Sequence, residues 1–134
     1  MENNKITCTH LWKKGERDNP GQYHIVEAQN RMRSYSKDDW KNMVIDAKEI
    51  VEGISLLIKE DIDVKDPRSE KAFQKFLDHV SEYFFEVDKK YMHQLYFSTL
   101  FDEEYKIFFD QFYEGMSIKI VRLIEAYPEK FKQL

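Results

Sequence analysis

The chain has 134 residues, 42% of them hydrophobic, enough for one domain with a single sizeable core. Four Gly and three Pro are too few for a β-sandwich, which needs a turn about every 8–12 residues, and long helices fit that scarcity better. A net charge of −4 with acids and bases interspersed is unlike the clustered Lys/Arg of a nucleic-acid surface.

Residues 1–33 are the least regular part. Lys13-Lys14-Gly15-Glu16-Arg17-Asp18-Asn19-Pro20-Gly21 is polar and turn-rich, with little periodicity. The apolar spots Leu11-Trp12 and Tyr23-His24-Ile25-Val26 can dock on a core or pair as short strands. A helix from about Tyr23 to Arg33 is a third option, and all three stay open. The first strong helix opens at Ser34-Tyr35-Ser36-Lys37-Asp38-Asp39-Trp40, where Ser36 can cap the free N–H groups and the aspartates complement the helix dipole. Trp40, Met43, Val44, Ala47, Ile50, Val51, Ile54, Leu57 and Ile58 then recur at helical spacing and predict a helix over 37–59.

Asp66-Pro67 reads as N-cap and first residue of a second helix, carried on by Ala72, Phe73, Phe76, Leu77, Val80, Tyr83 and Phe84. A break is expected near Glu86-Val87-Asp88, with Asp88 as a fresh cap. Tyr91, Met92, Leu95, Tyr96 and Leu100 line the next helix, and Asp102 caps another through Tyr113. Gly115 interrupts the pattern. Met116, Ile120, Val121, Leu123, Ile124 and Tyr127 form a last helix stopped by Pro128. The expectation is an all-α fold: one compact domain of about five helices over residues 34–134, behind an irregular segment, 1–33.

The rings of Tyr83-Phe84-Phe85 and of Tyr91, Tyr96 and Phe97 flank one helix boundary. Consecutive helical residues point about 100° apart, so these rings cannot all face one core. Some belong to an ordinary core with Tyr at its edge, or they line a ligand cleft. His79 and Glu82 share a helical face, yet a carboxylate-bridged metal centre needs further ligands from other helices, and none is placed to supply them. His93 and the Cys8/His10 pair are equally thin grounds for catalysis, and no Gly-rich phosphate loop exists. The expectation is therefore no enzyme, no cofactor and no metal. A single Cys suits a reducing cytoplasm, Met1–Lys5 lacks a signal-peptide core, and no apolar run reaches the roughly 18 residues of a membrane span.

The order of these pieces resembles the TipAS-type antibiotic-recognition domain, the effector-binding part of some MerR-family activators. Ser34-Tyr35-Ser36-Lys37-Asp38-Asp39-Trp40 matches the family's opening segment of the first long helix. Asp102-Glu103-Glu104-Tyr105, followed by Gly115-Met116, matches a second block. The resemblance implies a globin-like arrangement with a cleft that senses or sequesters bulky, hydrophobic or macrocyclic small molecules such as thiopeptides, with no nucleic acid contacted by this chain and no membrane. Some members carry a Cys that attacks a dehydroalanine of the ligand; the matching position here is Val87 or Asp88. The residues near it, Phe84, Phe85, Asp88, Tyr91, Met92 and Tyr96, are the expected cleft. The competing reading is a protein-interaction domain docking a partner, or a second copy of itself, through an aromatic surface.

Overall fold

The computed structural model describes residues 6–18 and 23–130, and every regular element among them is a helix. Seven α-helices follow in order: α1 (Cys8–Asp18), α2 (Tyr23–Arg33), α3 (Lys37–Lys59), α4 (Pro67–Tyr83), α5 (Lys89–Phe101), α6 (Glu103–Asp110) and α7 (Met116–Ala126). A 3-10 turn, Pro128–Lys130, closes the described chain. Met1–Lys5 lie outside the described residues, as do residues 19–21 of the turn-rich stretch expected over 13–21, whose first part, Lys13–Asp18, belongs to α1.

The helix ends are built from the residues the sequence singles out. Ser36 and Asp39 form a reciprocal capping box: the Asp39 N–H donates to Ser36 Oγ at 3.1 Å, and the Ser36 N–H to Asp39 Oδ2 at 3.0 Å. Asp66 caps α4 with Pro67 in its first turn, and its carboxyl, hydrogen-bonded by the Arg68 side chain and backbone, is held down to about 2. Asp88 caps α5 and Asp102 caps α6. Helix α6 stops at Asp110 rather than reaching Tyr113, because the Asp110 carboxylate accepts the Ser117 N–H at 2.7 Å and draws the chain round into α7. That reversal needs Gly115 at φ +94°, where a side chain is strained even though the nearest neighbour, Ile58 Cγ2, leaves room at 3.8 Å. Gly115→Ala should therefore cost about 1–2 kcal/mol from backbone strain alone, read by chemical denaturation.

The stretch expected to be irregular is helical over both α1 and α2, so the described chain has seven helices where the sequence suggested about five. Of the three options left open for residues 23–33, helix is the one adopted. Each of the two buries few side chains: Leu11 in α1, and His24, Ile25 and Ala28 in α2. Helices of eleven residues gain most of their stability from such tertiary packing, and two or three apolar residues leave little periodic trace.

Helix α7 is the most deeply placed element. Met116, Ile120, Val121, Leu123 and Ile124 are all buried, and it packs on α3, α4, α5 and α6. Phe73 and Leu77 of α4, Met92 and Leu95 of α5, and Ile54 of α3 complete the core. The long stripe of α3 divides in two. Ile54 and Leu57, 1% and 2% exposed, are core, whereas Val44 is 51% exposed and Trp40, Met43, Ala47, Ile50 and Val51 are not fully covered. A helix that buries only its carboxy-terminal half leaves an apolar face for something else.

Candidate functional site

The uncovered half of α3 forms one wall of a cavity of about 750 Å³, within the roughly 300–1,000 Å³ range of small-molecule sites. Met43, Ala47, Ile50 and Val51 contribute the α3 side. Phe76, His79, Phe84 and Phe85 come from α4 and the loop after it. Tyr91, Gln94 and Leu95 of α5 and Tyr105, Phe108 and Phe109 of α6 close another side, with Phe112 just beyond. Cys8, Leu11, Trp12 and Gly15 of α1 and His24 and Ile25 of α2 complete the enclosure. Lys48 and Glu52, one turn apart on α3, are the charged lining residues and both are exposed.

The rings brace one another around this space. Trp12 meets Phe84 edge-on at 5.4 Å, Phe85 meets Tyr91 at 4.8 Å, and Phe108 meets Phe112 at 5.3 Å. Helix α1 is tied across the bundle to α6 by polar contacts on its outer side. His10 Nε2 lies 2.8 Å from Glu104, and Lys14 Nζ donates to Asp102 at 2.8 Å and reaches Glu104 at 3.1 Å. Gln111 and Ile6 exchange two further hydrogen bonds at 3.0 and 2.6 Å. Hydrogen bonds to Asp102 and then Glu104 raise Lys14, while hydrogen bonds from His10 and then Lys14 hold Glu104 below the usual carboxylate range.

The Ser34–Trp40 segment stays off the cavity wall and works as a clamp. The Tyr35 hydroxyl donates to the Tyr83 carbonyl at the end of α4, and its ring packs edge-on against Trp40 at 5.7 Å. The Tyr83 hydroxyl in turn donates to Asp46 of α3 at 2.8 Å, which, with burial, pushes it up to about 12. These contacts join the α2–α3 turn, α3 and the end of α4, and so set the wall's spacing.

The residues expected in the cleft are found in three kinds of place. Phe84, Phe85 and Tyr91 line the cavity, and burial pushes the Tyr91 hydroxyl far above its ordinary value. Asp88 stands behind the wall: it accepts the Tyr91 N–H at 2.8 Å as cap of α5 and lies 3.0 Å from Nε2 of the wall residue His24. Met92 is fully buried in the core. Tyr96 is off the cavity wall, half-buried against the core with its hydroxyl donating to Glu125 at 2.6 Å, one helical step away from the face that Tyr91 and Leu95 present. The sequence reading misses the walls from α1, α2 and α6. Its one pointer to them is the surplus of rings over what a single core can hold.

Cys8 belongs to the wall as well. A thiol at a helix N-terminus is ordinarily lowered, but although Cys8 keeps exposed surface, burial of the thiol dominates and pushes it up to about 11. His79 donates Nε2–H to the Met43 carbonyl at 3.1 Å, and His93 is exposed. Among the described residues no group of three or more His, Cys, Asp or Glu could hold a metal ion, and no helix is long and apolar enough to cross a membrane. The arrangement can bury a large apolar body against rings on several sides.

No curated protein and no solved structure matched the chain. The family model of the TipAS antibiotic-recognition domain matches residues 12–127, from Trp12 on the cavity wall to Tyr127 beyond α7. All the lining residues except Cys8 and Leu11 fall within that span. The chain belongs to the TipAS antibiotic-recognition domain family.

Proposed function

We propose that this chain is a non-enzymatic binding module that holds a bulky, hydrophobic or peptide-like small molecule in the ring-lined cavity, for antibiotic sensing or sequestration in the cytoplasm. The observation that carries the reading is the cavity itself: space enough for a drug-sized molecule, walled by Trp12, Phe84, Phe85, Tyr91, Phe108 and Phe112. Burial of apolar ligand surface there contributes about 25 cal/mol per Å² before the costs of binding. Such a module works either as the effector domain of a transcriptional regulator or as a free-standing binder. A thermal-shift screen with macrocyclic antibiotics, thiopeptides first, tests it. A true ligand at 100 times its Kd stabilises the fold by about 2.7 kcal/mol, a rise in Tm of several degrees, and a flat response across the panel counts against the reading.

A second reading is favoured by one surface feature. Phe97 and Phe101 on the outer face of α5 are 55% and 77% exposed, their rings stacked at 6.4 Å. Exposed rings of this size suit a protein contact, through which the module pairs with a partner or a second copy. Light scattering across a concentration series distinguishes a self-associating chain from a monomer.

A further inference from the structure

His24 carries a buried polar atom with no partner among the described residues. The side chain is 4% exposed and forms part of the cavity wall. Its Nε2 lies 3.0 and 3.1 Å from the two oxygens of Asp88. A carboxylate only accepts, so Nε2 carries the hydrogen. Nδ1, on the other side of the ring, is buried and has no hydrogen-bond partner among the described residues. In the tautomer that gives its N–H to Asp88, Nδ1 carries the ring's lone pair and can accept.

The ring's orientation is fixed rather than adventitious. Asp88 Oδ1 accepts the Tyr91 N–H at 2.8 Å, so the group that orients His24 is itself held by the first turn of α5. Tyr23, Phe85 and Tyr91 surround the imidazole at centroid distances of 5.4, 4.8 and 5.8 Å. Of the two buried side-chain atoms without partners among the described residues, Thr99 Oγ1 is not on the cavity wall, whereas His24 is. The other wall histidine, His79, has its Nε2–H engaged by the Met43 carbonyl, and its Nδ1 is not among the buried unpaired atoms. Buried polar atoms left unpaired are scarce in folded chains, and a binding role is one reason for their persistence.

We propose that His24 is the polar anchor of the cavity, its Nδ1 accepting a hydrogen bond from an N–H or O–H group of the bound molecule. The inference rests on the ligand-binding reading and narrows it. The site selects ring-rich molecules that carry a donor, such as an amide N–H or a phenol, within their apolar surface. Equally apolar molecules without a donor leave Nδ1 unpaired and bind less well. Nδ1 is buried, so a donor reaches it only by displacing what covers it.

The test uses two probes of nearly equal size, 2-naphthol and 2-methoxynaphthalene, in equilibrium dialysis against the full chain and His24→Phe. The substitution should weaken 2-naphthol about tenfold more than 2-methoxynaphthalene, the difference being the loss of one buried hydrogen bond. A second measurement needs no variant: in imidazole ¹H–¹⁵N correlation spectra of the unaltered chain, the His24 Nδ1 resonance should be that of an unprotonated nitrogen. It should move upfield with 2-naphthol and stay in place with the ether. Equal losses for both probes, or an Nδ1 resonance indifferent to 2-naphthol while the probes bind, overturn the anchor and leave the cavity reading standing. Failure of both probes to bind the unaltered chain overturns both readings.

Discussion

Ile54→Asp should leave the chain largely unfolded at room temperature. Ile54 is 1% exposed on α3 and belongs to the same core as Phe73, Met92 and Ile120. A carboxylate placed there without a partner costs several kcal/mol, comparable with a total stability of about 5–15 kcal/mol. Circular dichroism and a thermal melt read the result: helical signal lost and no cooperative transition. The matching control lies ten residues earlier on the same stripe. Val44→Asp, at a position 51% exposed where the helix face opens toward the cavity, should remain folded and melt near the parent. If both variants melt alike, the division of α3 into a buried half and an uncovered half is wrong.

That division also shows what the sequence can and cannot carry. The apolar stripe from Trp40 to Ile58 locates the helix, because side chains at 3–4 residue spacing share one face. The stripe does not say what covers that face, since a residue packed by neighbours and one lining an empty space obey the same periodicity. The helix starts at Ser36, Asp66, Asp88 and Asp102 are legible because caps are local chemistry, settled within three residues. Helix α1 is not legible, and α2 only as one option of three, because the contacts that hold them come from far along the chain: His10 and Lys14 meet the first turn of α6, and His24 meets Asp88.

The wall positions divide in the same way. Phe84, Phe85 and Tyr91 stand out as rings crowded at a helix boundary, and all three line the cavity. Tyr96 stands out for the same reason, yet α5 turns it toward Glu125, because a step of five residues from Tyr91 moves it well round the helix. The Ser34–Trp40 segment is the most specific string in the chain, and it contributes the spacing between α3 and α4 rather than a wall residue. A family's most recognisable segment can thus be the part that builds a cavity's frame.

Replacing Phe84 or Tyr91 by Ala should weaken binding of a thiopeptide or other macrocyclic ligand by roughly 1–2 kcal/mol each, about five- to thirtyfold in Kd. Both rings line the cavity and are half-buried, so their loss removes ligand contact while Phe73, Met92 and Leu123 keep the core intact. Tyr96→Ala removes a half-buried ring that is not on the cavity wall and should leave the affinity within a factor of about two, because it takes away no ligand contact. Isothermal titration on the three variants, each with its helical spectrum checked, separates these outcomes. Equal losses at Tyr91 and Tyr96 would move the site to the outside of α5. The captured ligand should also be released intact. Burial pushes the Cys8 thiol up and so disfavours the nucleophilic thiolate at neutral pH, and Val87 and Asp88 offer no thiol at all. A dehydroalanine-bearing thiopeptide incubated at neutral pH should then leave no adduct on the denatured chain by intact-mass spectrometry. An adduct mapped to Cys8 would mean that the ligand itself lowers the thiol, and that α1 supplies chemistry as well as a wall.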